Sequence, residues 1–354
     1  MFKLQFKSPA FRGRAGNAYG YGRVYRSLLK YFESRPDRVR LVERKNDADI
    51  QVCWAQPFRE WESIPYFKLD RHPVQVIYTT WEETRLPQGW VEELNKVKAV
   101  FTTSRFCLQM VQDNGVGVPL YRVPHAVEVE QFPFMPRDWS GSRSVWWPDK
   151  KFVFLWQAMH PKDRRNRELA QAAFYDLKLD DAWFLQKWYP LVSAEVPPLR
   201  NDRTHETFMG NFMPDKLYRQ MLGLCHCFVS PTRGEGFGLM PLEAASTGMV
   251  SLATNWSGTT DYLNDAHFRP LKYSLSKPGE SYVMSSPDND VRVDGLSQDA
   301  IVDYEDLKTA MLWVYENREA AAEMGKKASD YVRENWTWDK AGEQFLNACL
   351  KVLE

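Results

Sequence analysis

Short apolar runs alternate with stretches of helical period along most of the chain. Runs such as Phe2–Lys7, Ile50–Trp54 and 152–156 have the length and apolar content of strands. The stretches between them place apolar residues three and four positions apart, as Val24 and Leu28 are placed. Strands that alternate with helices favour parallel sheets covered by helices, so the pattern predicts an α/β protein.

The predicted elements fall into two groups. Further strands are expected at 38–43, 74–80, 99–103, 121–123, 183–188 and 249–253, and helices at 90–95, 104–114, 215–223, 299–316, 320–335 and 338–353. The segment 132–150 is rich in Pro, Trp and Ser, which predicts an interdomain linker. Since 354 residues suit two domains better than one, we predict a first domain over 1–145, with its linker from about 132, and a second over 146–335.

The stretch 230–248, SPTRGEGFGLMPLEAASTG, follows an apolar run and combines a glycine loop with the start of a helix. Three glycines at alternate positions let backbone N–H groups approach an anion, and the helix N-terminus adds its positive dipole end. Two carboxylates, Glu235 and Glu243, flank this site. A carboxylate can accept two hydrogen bonds from a vicinal diol, which fits a ribose at Glu243 and a hexose near Glu235. The stretch therefore predicts a nucleotide-sugar site.

Glu235 and Glu243 are separated by seven residues, which resembles the E-x7-E motif of retaining glycosyltransferases, and GEGFGLMPLEAASTG resembles glycosyltransferase family 4, or group 1. The resemblance implies the GT-B fold, in which two Rossmann-like domains face each other across a cleft and a last helix, here 336–354, packs back on the first. It also implies transfer of a hexose from a nucleotide diphosphate sugar to a hydroxyl, with retention of anomeric configuration. No cofactor and no metal are implied.

The resemblance assigns roles to individual residues. Glu235 would orient sugar hydroxyls, while Arg164 and Arg165 would bind the donor phosphates, with Arg165 where the family has a lysine. Cations at the start of a predicted helix oppose the helix dipole, which favours a bound anion there. A second glycine loop, near the N-terminus, resembles the family's loop that faces the donor diphosphate. Donor contacts are further expected from Lys187, Gly236, Phe237, Gly238, Leu239, Glu243, Gly16 and Gly20.

Two more candidates follow predicted strands of the first domain, at the carboxyl ends where open α/β sheets bind ligands. Glu82 lies in TTWEETRLPQGW, which resembles a segment of certain family 4 enzymes, and is expected to hold acceptor or donor hydroxyls; Glu83 is expected to be solvated. His125 stands where the family usually has a His-Gly pair, here His125-Ala126. It is either a partner for a sugar hydroxyl or a structural histidine.

The charge is uneven although the whole chain is neutral. Residues 1–45 hold twelve Lys and Arg against three acids, an excess of nine positive charges. This is either a solvated helix face or a surface for an anionic acceptor. The first hypothesis for the acceptor is a cell-surface glycan or glycolipid, and the second is a hydroxymethylated base in DNA, as used by viral glycosyltransferases. A third hypothesis is a catalytically degenerate protein that binds sugar nucleotides.

Two features bear on location. No apolar run approaches the roughly 20 residues that span a bilayer, and the N-terminus lacks the apolar core of a signal peptide. Five widely spread cysteines are typical of reduced core thiols. We therefore expect a cytoplasmic protein, or one that is peripheral to the membrane.

Overall fold

The computed structural model describes residues 1–8, 20–55, 72–158, 164–188, 201–202, 206–209, 213–282 and 293–354. The first sheet has six parallel strands in the order β2-β1-β3-β4-β5-β6. These strands are β1 (Phe2–Lys7), β2 (Val39–Leu41), β3 (Ile50–Trp54), β4 (Gln75–Thr79), β5 (Ala99–Thr102) and β6 (Leu120–Arg122). The helices between them are α1 (Gly20–Glu33), α2 (Trp90–Leu94) and α3 (Arg105–Asp113).

The second sheet has the order β10-β11-β9-β8-β12-β13-β14 and is parallel except at β10, while β7 pairs with β8 in antiparallel fashion. Its strands are β7 (Ser142–Ser144), β8 (Trp147–Ala158), β9 (Ala182–Trp188), β10 (Asn201–Asp202), β11 (Glu206–Met209), β12 (Cys227–Ser230), β13 (Val250–Thr254) and β14 (Arg269–Leu271). A separate hairpin pairs β15 (Tyr273–Leu275) with β16 (Ala300–Val302). The helices of this half are α4 (Arg167–Asp176), α5 (Asp215–Leu224), α6 (Leu239–Ser246), α7 (Tyr304–Glu316), α8 (Arg318–Asn335) and α9 (Trp338–Leu353).

The order of the second sheet creates a crevice beside its central strand. The chain leaves β8 toward β9 on one side, whereas β12 and β13 lie on the other side. Loops that follow strands on either side of such a switch point diverge, and ligands of open α/β sheets bind between them. The two segments here are 164–166, just before α4, and 231–238, after β12. They carry the predicted arginines and Glu235.

Helix α9 packs on the first sheet. Its Phe345 and Leu346 belong to the same apolar cluster as residues of β1, β3 and α1. Gly342 makes the close approach possible, because a Cβ there would lie 2.2 Å from the ring of Tyr31 on α1. The chain thus begins and ends on the same layer.

The predicted α/β class is confirmed, and three predictions about local structure are corrected. The expected linker 132–150 is partly a hairpin, because β7 folds back on the start of β8. The expected helix 299–316 begins only after Asp303, since residues 300–302 pair with β15 and the Asp303 carboxylate caps α7. Glu83 is buried rather than solvated; its carboxylate accepts hydrogen bonds from the Ser281 and Ser297 hydroxyls.

Replacing Gly342 with Ala should destabilise the chain by about 1–3 kcal/mol, because the added methyl group meets the Tyr31 ring between two packed helices. We expect a lower midpoint in urea unfolding followed by circular dichroism. Lys351→Ala, an exposed change on the same helix, is the matched control. Equal midpoints for the two variants would contradict the contact.

Candidate active site

The glycine loop after β12 is seated directly against the first sheet. The carbonyl of Gly236 accepts a hydrogen bond of 2.8 Å from the Thr103 hydroxyl, just after β5. A Cβ at Gly236 would lie 1.7 Å from the hydroxyl oxygen of Thr80, just after β4, so that only glycine fits. The carboxyl ends of β4 and β5 therefore face the loop that starts α6.

Two arginines meet two carboxylates beside this loop. Nη2 of Arg164 lies 2.8 Å from Oε1 of Glu82 and 3.2 Å from Oε2 of Glu235. Nε of Arg165 lies 3.2 Å from Oε1 of Glu235. We call these four residues, Glu82, Arg164, Arg165 and Glu235, the arginine–carboxylate cluster. Four of the predicted site residues, from both sheets, are thus brought into contact.

Backbone contacts fix the cluster in place. Nε of Arg164 donates to the Gly234 carbonyl at 2.7 Å, and the Trp156 indole donates to the Arg165 carbonyl at 3.0 Å. Asn166 adopts a left-handed conformation, with φ of 52°, and its amide donates to the Pro231 carbonyl. The loop after β8 is therefore tied to the loop after β12, and both arginines are held at the switch point.

The cluster is shielded from water. The side chains of Arg165 and Glu235 are 11% and 8% exposed. Burial raises the pKa of Glu82 above its usual value, and the Arg164 guanidinium opposes that rise. Lys187 lies near the carboxyl end of β9, opposite Gln157 of β8, and is fully buried. Burial lowers the pKa of Lys187 to about 8.

Glu243 lies apart from the cluster, where it meets a residue that the sequence did not single out. Its carboxylate oxygens lie 2.8 and 3.1 Å from the two terminal nitrogens of Arg23, on α1. The Arg23 guanidinium also lies over the ring of Phe132, 5.0 Å from its centre. Burial raises the pKa of Glu243, and Arg23 opposes the rise. One feature of the sequence could have identified Arg23 as a residue with an acidic partner. It lies in the first turn of α1, where acidic residues are favoured and where α1 has none.

His125 does not contact the arginine–carboxylate cluster among the described contacts. It is 6% exposed and surrounded by the rings of Trp54, Phe237 and Trp338, at 5.2, 5.3 and 6.5 Å between centres. Burial lowers the pKa of His125 to about 3, so the ring is neutral at physiological pH. Its role toward a sugar hydroxyl stays a prediction.

The remaining predicted residues belong to the glycine loops. Gly238 has a φ of 87° and stands immediately before Leu239, the first residue of α6. Phe237 packs in the core between the two halves. Gly20 is the first residue of α1, and no atom of the described residues lies within 4 Å of a Cβ built there, whereas Gly16 lies outside the described residues.

The chain is similar to known glycosyltransferases. A family model described as "Family 4 Glycosyltransferase in conflict systems" matches residues 213–345. The serotype-specific mannosyltransferase WbdA of Escherichia coli is 27% identical over 197 residues, which cover 50% of this chain and 23% of WbdA. The chain thus spans about a quarter of the length of the curated relatives it matches.

Solved glycosyltransferases share the whole fold. A glycosyltransferase from Rickettsia africae matches with a TM-score of 0.63 and 13% identity, over 99% of this chain and 98% of its own. HepE of Anabaena, solved with UDP and glucose, matches with a TM-score of 0.63 and 10% identity, over 99% of this chain and 100% of its own. The chain resembles the family 4 glycosyltransferases over residues 213–345 and has the GT-B fold. The resemblance inferred from the sequence and its GT-B fold are confirmed.

Two further observations concern this GT4-type chain. Among the described residues, no helix is both long enough and apolar enough to cross a membrane. No group of three or more His, Cys, Asp or Glu side chains in the described ranges is arranged to hold a metal ion.

The Arg23–Glu243 pair gives a pH-dependent prediction. Because burial raises the pKa of Glu243, the folded chain retains a proton that the unfolded chain loses, and stability falls as the pH rises through the raised value. Arg23→Gln removes the opposing cation and raises the pKa further. At pH 8 we expect the variant to lose about 1–3 kcal/mol of its free energy of unfolding, which is less than for a fully buried pair because Arg23 is partly exposed. At pH 5 we expect a smaller loss.

The measurement is urea unfolding of both proteins at the two pH values. Arg26→Gln, an exposed change one turn further along α1, is the control and should show no pH-dependent loss. If Arg23→Gln loses the same free energy of unfolding at pH 5 as at pH 8, the pair does not control the charge of Glu243.

Proposed function

We propose that this chain is a retaining hexosyltransferase that uses a nucleotide diphosphate sugar. The observation that carries the proposal is the arginine–carboxylate cluster at the switch point of the second sheet, beside the N-terminus of α6. The diphosphate would lie between Arg164, Arg165 and the backbone N–H groups of residues 236–239. The ribose would bind at Glu243, and the hexose at Glu235. Lys187, near the end of β9, would add a further cation on the donor side.

The site would lower the activation free energy mainly by stabilising the negative charge that develops on the leaving group. When the bond from the anomeric carbon to the phosphate oxygen breaks, negative charge grows on the diphosphate. Fixed guanidinium groups and N–H groups stabilise this charge without having to reorganise. Arginine suits the task because its planar fork meets two phosphate oxygens at once. These residues supply the positive charge, which supports a reaction that needs neither a metal nor a cofactor.

The carboxylates of the cluster also hold the two arginines in position. Glu82 and Glu235 balance the charges of Arg164 and Arg165, so that a diphosphate has to share or replace these ion pairs. Once the diphosphate engages the guanidinium groups, Glu235 is released to accept hydrogen bonds from sugar hydroxyls, and Glu82 from donor or acceptor hydroxyls. In the retaining reaction the departing phosphate takes the acceptor proton.

The acceptor we favour is a cell-surface glycan or glycolipid. WbdA is a serotype-specific mannosyltransferase, and TarM, a structural neighbour with a TM-score of 0.60 and 14% identity, was solved with UDP and α-GlcNAc-glycerol. Five free cysteines are buried in the described part of the chain, which supports a cytoplasmic protein.

A second candidate acceptor is DNA with hydroxymethylated bases. The positive excess of residues 1–45 favours it, and five of the cations in the described part of this segment are exposed: Lys3, Arg26, Lys30, Arg40 and Arg44. Other cations of this segment are paired with acids of α9, as Arg35 is with Asp339 and Arg38 with Glu343, which limits the charge available to a duplex.

Arg165→Gln should lower kcat by about 10²–10³-fold while leaving the fold intact, because it removes a fixed donor to the leaving diphosphate. The assay is release of the free nucleotide from the donor at saturating concentration. Arg143→Gln, an exposed change on β7, is the control and should keep full activity. If Arg165→Gln keeps more than half of the wild-type rate, Arg165 does not act on the leaving group.

The test of the whole proposal is a panel of UDP and GDP sugars, scored by thermal shift and by hydrolysis, with three acceptor conditions. A donor whose turnover rises with a glycan or lipid acceptor supports the first acceptor, and one whose turnover rises with hydroxymethylated DNA supports the second. A donor that binds but is neither hydrolysed nor transferred would favour the degenerate sugar-nucleotide binding protein. Binding of no donor would overturn the proposal.

A further inference from the structure

A cavity of about 270 Å³ lies between the loop that follows β6 and the junction of α8 with α9. His125 lines it from the first half of the chain, and Trp336, Lys340 and Gln344 line it from the C-terminal helices. No member of the arginine–carboxylate cluster is among its lining residues. The cavity is therefore separate from the proposed donor site.

Two buried polar atoms in the lining lack a hydrogen-bond partner among the described residues. They are Nε2 of His125, which is 6% exposed, and Nε1 of Trp336, which is 8% exposed. Buried polar groups are almost always hydrogen-bonded, because desolvation without a partner is costly. The indole N–H can only donate, while the neutral imidazole can donate or accept. A polar partner with acceptor oxygens that reaches these atoms would satisfy both of them.

The charge around the cavity is positive. Arg122 lines it and pairs with Asp261, at 2.8 Å from Nε, but Asp261 also takes a bond from Arg105. Two guanidinium groups thus share one carboxylate and leave one positive charge in excess. Lys340 adds a second, and the lining includes no carboxylate.

The acids of α9 do not neutralise this charge, because they face the other way. Asp339 pairs with Arg35, and Glu343 pairs with Arg38, on the side of α9 that packs against α1. The same helix therefore presents its acids to α1 and its lysine to the cavity. This division supports an anion rather than a cation or a neutral ligand.

We propose that the cavity binds a small anion of the phosphate class, either free phosphate or a phosphorylated monosaccharide. The acceptor oxygens of a phosphate match the Trp336 and Arg122 N–H groups and the Lys340 ammonium group. The volume equals that of roughly nine water molecules at about 30 Å³ each. It lies just below the range of about 300–1,000 Å³ for pockets that hold drug-sized ligands, which suits a ligand smaller than a whole nucleotide sugar.

The site would communicate with the glycine loop through one aromatic residue. The rings of His125 and Trp336 both pack against Phe237, at 5.3 and 5.6 Å between centres. Phe237 lies in the loop between Gly236 and Gly238. An anion that restricts the motion of the His125 and Trp336 rings therefore also restricts the motion of Phe237 in the glycine loop.

The experiment is isothermal titration calorimetry of the full chain with inorganic phosphate and, separately, with glucose 6-phosphate. We expect saturable binding of at least one probe. Binding should weaken at least tenfold in Lys340→Gln and in Trp336→Phe, which remove a charged and a neutral donor. Lys351→Gln removes the same charge from the last turn of α9 and should bind as the wild type does. A preference for glucose 6-phosphate would identify a sugar phosphate, and equal affinities would identify phosphate itself.

A further variant separates this site from the donor site. Arg165→Gln should leave the probe affinity unchanged, since Arg165 does not line the cavity. Binding that is lost in Arg165→Gln but kept in Lys340→Gln would place the anion in the donor site and overturn the inference without touching the proposed function. Absence of saturable binding by either probe would also overturn it, with ordered water then satisfying His125 and Trp336. Trp336→Phe is compared only if its unfolding midpoint matches the wild type, and Lys340→Gln remains decisive otherwise.

Discussion

The seating of the glycine loop on the first sheet is the contact on which the site depends. The Gly236 backbone lies against Thr80 and Thr103, at a distance that excludes any side chain. This contact brings the N-terminus of α6 to the carboxyl ends of β4 and β5. It also places Glu82, from the first half of the chain, within reach of Arg164, from the second. Without the contact of Gly236 with the first sheet, Glu82 would not reach Arg164 and the arginine–carboxylate cluster would lack its member from the first half of the chain.

Charge balance governs both sides of this contact. Two guanidinium groups and two carboxylates meet in a partly buried place, where an unpaired charge would be strongly disfavoured. A second buried pair, Arg23 with Glu243, spans the same interface. Each pair ties an acid of the predicted sugar-nucleotide site to a cation, so that a bound phosphate would displace the acid and a bound ribose would displace the cation. The ion pairs therefore hold the two halves together and keep the binding groups desolvated before a ligand arrives.

The C-terminal helices connect the two halves a second time. Helix α9 packs on the first sheet through Phe345 and Leu346, and the junction before it packs through Trp336 on Phe237 of the glycine loop. The same junction forms one wall of the cationic cavity. The last 20 residues or so thus support the first sheet, the loop of the donor site and the proposed anion site together.

The sequence by itself determined the α/β class, most strands and helices, and the glycine loop with its two acids. These follow from local patterns: apolar period, cap residues such as Ser104, and glycines before a helix. Tertiary structure alone decided which distant side chains meet. Glu83 is buried by two serines about 200 positions away, Glu243 is paired with Arg23 rather than open, and residues 300–302 form a strand because β15 lies beside them. The physical reason is that burial and charge pairing arise between elements far apart in the chain, so that no local sequence pattern predicts them.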